Sequence, residues 1–455
     1  MIEFVTMSFF LLLLIGIIFS CLLLYTSFAT DDLIAYSLTQ EEASVVNSHI
    51  KHFVVIVQGR HTFDNYFGTF PGANGFPNGI KIPMDPFKSN ESAFVEPFHL
   101  EDKEHYKPRD DPPTYRLAYN NGSMNGFVYA QKDNPGNSTY VMGYFDNRDI
   151  PYYWKYATEY VLAQRFFSPS IRSDLVNSLY AIGVQPSMRL QDVPIQGLDV
   201  NKTIFDELIS KGVPWKIYVE NLGGIYNKSK EDTVILKRNI PILAIPRFID
   251  NQSLNSNIHD LSDYFADILD NRLANVTFVY FTDSNDSPIP NVIASQELVS
   301  NLVYALMTSQ YWNSSAILLA HNEAGGWYDH VRPPMNNNTG ELNGFRVPAI
   351  IISPYAKKGY IDNNTYDIKS FLDLVQSSFG INGSTYALNH TNKMYQVFDF
   401  AQQPRQPLHL QEIPRERVIV HSDEIKGINA VYILSLFGPI AVTIYWYYRR
   451  KKPLN

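Results

Sequence analysis

The sequence predicts an α/β fold with a mostly parallel central sheet, flanked by an apolar segment at each end. Three observations carry this. Short runs of β-branched and aromatic residues recur through the middle of the 455-residue chain, and helical patterns lie between them. One run, residues 316–334 (AILLAHNEAGGWYDHVRPP), is apolar until it ends in polar residues, as a buried parallel strand does. His321, Asn322 and Glu323 then fall at its carboxyl end, where open α/β sheets place their sites. Finally, both ends of the chain carry long uncharged apolar stretches.

The first element is residues 7–25, an apolar run before Thr26, Ser27, Phe28 and Ala29. It reads as a secretory signal or an uncleaved signal anchor, which sets residues 1–30 apart. Strands are predicted at 53–58, 215–220, 276–281, 316–321 and 347–352. A helix is predicted from Thr203 to a Gly212 stop, a second over 296–308, and a third over 370–379 with Ser370 as its cap. Residues 64–150 are rich in Pro, Gly, Asn and aromatics and predict long ordered loops over the sheet. Residues 48–400 thus form one domain, and 401–427, rich in Gln, Pro and charge, a stalk.

Residues 428–448 are read as a transmembrane helix. Its uncharged part, 431–448, is about 27 Å long as a helix and ends in Tyr445, Trp446, Tyr447 and Tyr448. The basic tail 449–455 that follows places the carboxyl terminus in the cytoplasm and the main domain outside a cell membrane. Asn-x-Ser/Thr sequons recur from Asn90 to Asn389 and appear in neither flank, which adds N-linked glycans to the expected partners. A net charge of -8 gives no electrostatic footprint for nucleic acid. The single cysteine, Cys21, lies in the first apolar segment, so the domain has no disulfide framework and no thiolate metal site.

Taken together, the 316–334 stretch and the blocks at 50–68, 121–127, 142–157, 172–178 and 344–362 resemble the phosphoesterase family of bacterial phospholipases C and related acid phosphatases. Residues 50–68 (IKHFVVIVQGRHTFDNYFG) match a strand running into Gln-Glu-Asn-Arg-Ser-Phe-Asp-x-Tyr-Phe-Gly, with Gly59 and Arg60 in place of Glu-Asn. Residues 121–127 (NGSMNGF) and 142–157 (MGYFDNRDIPYYWKYA) match two further blocks. Residues 172–178 (RSDLVNS) fall on the segment that carries the family's hydroxyl nucleophile, with Asp174 in that column and Ser173 before it. The 316–334 stretch matches Asp-Glu-x-Gly-Gly-x-x-Asp-His-Val-x-Pro-Pro, with Asn322 for the aspartate. Residues 344–362 (GFRVPAIIISPYAKKGYID) are nearly unaltered, and a family histidine downstream is replaced by Ile368.

The resemblance implies the three-layer, alkaline-phosphatase-like fold and a hydrolase acting on phosphoric ester bonds. Carried across, the catalytic candidates are Asp174, Ser173 and His105 and the metal ligands Glu323 and Asn322. From the residues themselves, Arg60, a fork of donors where the metal would sit, and His321, at the strand end, are the substrate-binding candidates. His321 and Glu323, two apart on a strand, are expected to share a face. Metal-assisted hydrolysis needs anionic oxygens and a nucleophile the cation can deprotonate. Gly59 removes one ligand, Arg60 brings a positive charge, and Asn322 keeps a carbonyl but loses a charge, so a divalent metal is doubtful. Two readings follow: a membrane-anchored exterior phosphoesterase with an altered metal site, or an inactive relative that binds a phosphoester or another anion at the cell surface.

Overall fold

The computed structural model describes residues 38–408, apart from 89–92, 101–105, 188, 191, 195, 226–235, 282–288, 336–339 and 382–392. Eight strands form the central sheet: β1 (His52–Gln58), β2 (Val161–Ala163), β3 (Trp215–Val219), β4 (Ile258–Asp260), β5 (Val276–Tyr280), β6 (Ser315–His321), β7 (Ala349–Ile352) and β8 (Tyr360–Asp362). Their order is β8-β2-β7-β6-β1-β5-β3-β4. Every pairing is parallel except the two made by β7. The sheet is therefore mostly parallel, as the sequence predicts, and β1 and β6 are buried along nearly their whole length.

Eight helices matter for the layers: α1 (Gln40–His49), α2 (Pro112–Tyr119), α3 (Pro151–Glu159), α4 (Asp174–Ala181), α5 (Ile204–Ser210), α6 (Leu261–Leu269), α7 (Ile289–Met307) and α8 (Ile368–Ser378). Alternation along β1 separates them onto two faces. Phe53 meets Phe371 of α8 edge to face, whereas Gln58, of the opposite parity, donates from Nε2 to Ser295 Oγ of α7. On the first face α1, α4 and α5 pack with α8; on the second α3 and α6 pack with α7.

Local chemistry explains the helix starts. Thr39 and Glu42 form a reciprocal capping box for α1, and proline occupies the first turn of α2 and α3, where its missing N–H costs nothing. The predicted Ser370 cap is corrected: α8 begins earlier, with Asp367 as its cap, because the aspartate accepts the free N–H of Lys369. The helix expected over 296–308 starts earlier too, at Ile289. Residues 401–408, read as the start of a stalk, touch the domain: Trp312 donates to the Arg405 carbonyl at 2.7 Å, and the Arg405 guanidinium lies 4.5 Å from the Tyr160 ring centre.

The membrane-anchored placement is also corrected. Among the described residues no helix is long and apolar enough to cross a membrane. The longest, α7, carries Gln296 and Glu297 and packs on the sheet. The segments 1–30 and 428–455 lie outside the described residues, as does the stalk beyond 408.

One buried network ties the long loops to the sheet. Arg346, fully buried, donates from Nη2 to Asp64 (2.8 Å), from Nε to both oxygens of Asp329 (3.1 Å each), and from Nη1 to the carbonyls of Asn74 and Gln164. Asp64 also accepts from the His330 backbone N–H, and lies 2.6 Å from His330 Nδ1. Three segments far apart in sequence are held through this one guanidinium.

Candidate functional site

The carboxyl ends of β1, β5 and β6 surround one small pocket of about 40 Å³. Gly59 and Arg60 reach it from β1, Tyr280 and Phe281 from β5, and Asn322 and Glu323 from β6. Asp174, first residue of α4, and Asn239 close it. The structure therefore brings together four of the residues singled out in the sequence: Arg60, Asp174, Asn322 and Glu323.

Arg60 organises the group. Its Nη1 donates to Asp110 at 2.6 Å and its Nη2 to Asp174 at 3.0 Å. The backbone here has φ 81°, a left-handed conformation that costs a residue with a Cβ about 1 kcal/mol or more. The Gly-Gly turn explains how the chain holds it there. A Cβ on Gly325 would lie 2.2 Å from the Arg60 carbonyl oxygen, and one on Gly326 2.5 Å from that of Arg109. Only glycines admit both backbones, so the turn sets Arg60 and the Arg109–Asp110 loop side by side.

Asn322 bridges β6 to its neighbours: its N–H donates to the Gln58 carbonyl and its Nδ2 to Ser178 Oγ, each at 2.8 Å. Glu323 is buried and accepts from the Tyr115 hydroxyl at 2.9 Å. Burial raises its carboxyl well above the usual range, and the negative Asp174 and Asp110 push the same way, against Arg60. The folded chain thus holds a proton here that the unfolded chain releases near 4.5. Between that value and the higher folded one, stability falls as pH rises. In Glu323→Gln this decline should flatten, by about 2 °C or more in thermal midpoint between pH 5 and pH 8. Equal slopes in the two proteins would place the titration elsewhere.

The other candidates lie outside the pocket. His321 does not line it; its ring lies 5.6 Å from His61 and 5.0 Å from Tyr66, in a buried aromatic group. Burial, with His61 beside it, pushes its imidazole well below the ordinary value. The expectation that it shares a face with Glu323 fails because β6 ends at His321, so the two-residue alternation stops before Glu323. Ser173 caps α4, its Oγ accepting the Val176 N–H at 3.3 Å. His105 lies outside the described residues.

The residues around Arg60 do not fit a divalent cation of the expected kind. Such a cation needs several anionic oxygens. Here a guanidinium stands against Asp174 and Asp110, Asn322 is neutral, and burial favours the protonated form of Glu323. Among the described residues two other groups are spaced to hold a metal: Asp64, Asp329 and His330, and His99, Asp146 and Asp149. The first is already engaged by Arg346, and in the second His99 pairs with Asp149 while Arg148 pairs with Asp146. Asp110, Tyr115 and Tyr280 were missed in the sequence, and none carries a local signal that marks it.

The chain is similar to known proteins over most of its length. A profile described as the phosphoesterase family matches residues 50–382. Phospholipase C A of Mycobacterium tuberculosis is 25% identical over 421 residues, covering 78% of each chain. Non-specific phospholipase C1 of Arabidopsis thaliana is 25% identical, over 70% of this chain and 63% of its own. Among solved structures, a Pseudoalteromonas sulfatase aligns with a TM-score of 0.42 at 10% identity, over 81% of this chain and 77% of its own.

Proposed function

The chain belongs to the phosphoesterase family, and from that premise we propose that it hydrolyses phosphoric esters with Arg60 in the place of the family's metal ion. The observation that carries this reading is the Arg60 guanidinium, fixed between Asp110 and Asp174 on a strained backbone. A planar fork of donors neutralises phosphoryl oxygens without a metal. Asp174, in the nucleophile column of the family, is the carboxylate that attacks phosphorus, forming an acyl phosphate as the bond from phosphorus to the ester oxygen breaks. Glu323, whose environment favours its protonated form, gives that proton to the leaving oxygen as its bond to phosphorus breaks. The carboxylate so formed then takes a proton from the water that hydrolyses the Asp174 acyl phosphate, so Asp174 is the nucleophile and Glu323 the acid and then the base. The alkaline-phosphatase-like arrangement of the layers belongs to the same reading.

The relatives named as phospholipases C make phosphodiesters the first substrates to try. The test is turnover of bis(p-nitrophenyl) phosphate and p-nitrophenyl phosphate, with and without EDTA. Turnover that EDTA leaves unchanged is expected. Activity lost to the chelator and restored by a divalent ion would return the site to metal chemistry. A second reading, binding without turnover, is favoured by the bond from Arg60 to Asp174, which spends part of that carboxylate's nucleophilicity. It predicts phosphate uptake and no hydrolysis of either ester.

A further inference from the structure

Tyr280 ends β5, in register with Val57 of β1, and lines the pocket with Arg60 and Asp174. Its ring stacks on Phe278, two residues back on the same face, with centroids 6.3 Å apart and planes 14° from parallel. The side chain is 2% exposed, and its hydroxyl has no hydrogen-bond partner among the described residues. Leaving a buried hydroxyl unpaired is costly, and a phenylalanine would fill the same space without the cost. The two pocket carboxylates do not use it: Asp174 is bonded to Arg60 and Glu323 to Tyr115.

The geometry points to Tyr280 as a ligand-binding residue that donates its O–H to a phosphoryl oxygen held against Arg60. This rests on the reading that the pocket takes phosphoric esters. The free space of about 40 Å³ has room for roughly three water-sized atoms, enough for the oxygens of a phosphoryl group. A free phosphate ion offers the same oxygens.

The experiment is calorimetric titration of inorganic phosphate and, separately, phenyl phosphate into the full-length protein, Tyr280→Phe and Arg60→Gly. Tyr280→Phe should fold with an unchanged or higher thermal midpoint and bind about tenfold more weakly. A loss for both probes assigns the bond to the ester as well as the free ion, and a loss for inorganic phosphate alone assigns it to the free ion. If wild type and Tyr280→Phe bind both probes equally while Arg60→Gly does not, Tyr280 is not a ligand and the Arg60 reading stands. If neither probe binds wild type, both fall.

Discussion

Arg346→Met should cost about 3–5 kcal/mol, the usual consequence of stripping a buried carboxylate of its partner. That is a large part of the 5–15 kcal/mol that holds a typical domain together. The substitution roughly keeps the volume but removes every donor. Asp64 and Asp329 stay in the interior without their counter-ion, and the carbonyls of Asn74 and Gln164 lose an N–H. In the intact protein burial already lifts Asp329 to about 6, against the pull of Arg346. Without the pull of Arg346 the Asp329 carboxyl should rise further, so that it takes up its proton more readily when folded than when unfolded. The variant should therefore regain stability as pH falls from 7 towards 5, while remaining less stable than wild type. Urea unfolding at two pH values checks both points. A loss below about 1 kcal/mol, or no recovery in acid, would mean the network contributes little. Adding Asp64→Asn and Asp329→Asn should return part of the loss, because the cost lies in the stranded charges and not in a missing shape.

The fate of this network shows what sequence can and cannot specify. Nearly continuous apolar runs mark β1, β5 and β6, since a strand buried on both faces must be apolar almost throughout. The β2, β4 and β8 strands are three residues each, too short to show a period, and they exist because neighbours pair with them. The run predicted as a strand at 347–352 is one over Ala349–Ile352, but nothing in its residues says that it runs against β6 and β2. The site divides the same way. Arg60, Asp174, Asn322 and Glu323 sit within recognisable blocks, so their meeting in one pocket follows from the order of the blocks. Asp110 and Tyr115 come from the long segment before β2, where only the tertiary path brings a carboxylate to Arg60 and a phenol to Glu323. His321 misled because strand alternation was carried past the strand's last residue.

Arg60→Gly should be the most informative change in the pocket, and glycine suits it better than alanine. At φ 81° a glycine relaxes the backbone, so the strain released offsets part of the two lost ion pairs. Both pairs are partly exposed, which limits what they contribute. Stability should thus stay within about 1 kcal/mol of wild type, and any change in function belongs to the guanidinium. Phosphoester turnover should fall about 10²- to 10³-fold, the usual loss when a fixed donor to a developing charge is removed. Arg60→Lys, which keeps the charge but not the fork, should lie between. Removing the cation also takes the guanidinium from Asp174, which lines the pocket, and from Asp110 on its other side. Arg60→Gly should then be stabilised by millimolar Mn²⁺ or Ca²⁺ in thermal unfolding, a response the wild type should lack. If Arg60→Gly keeps the wild-type rate in EDTA, the guanidinium has no part in the chemistry. If the wild type is itself stabilised by the metal, and its rate depends on it, Arg60 has not replaced the ion but works beside it.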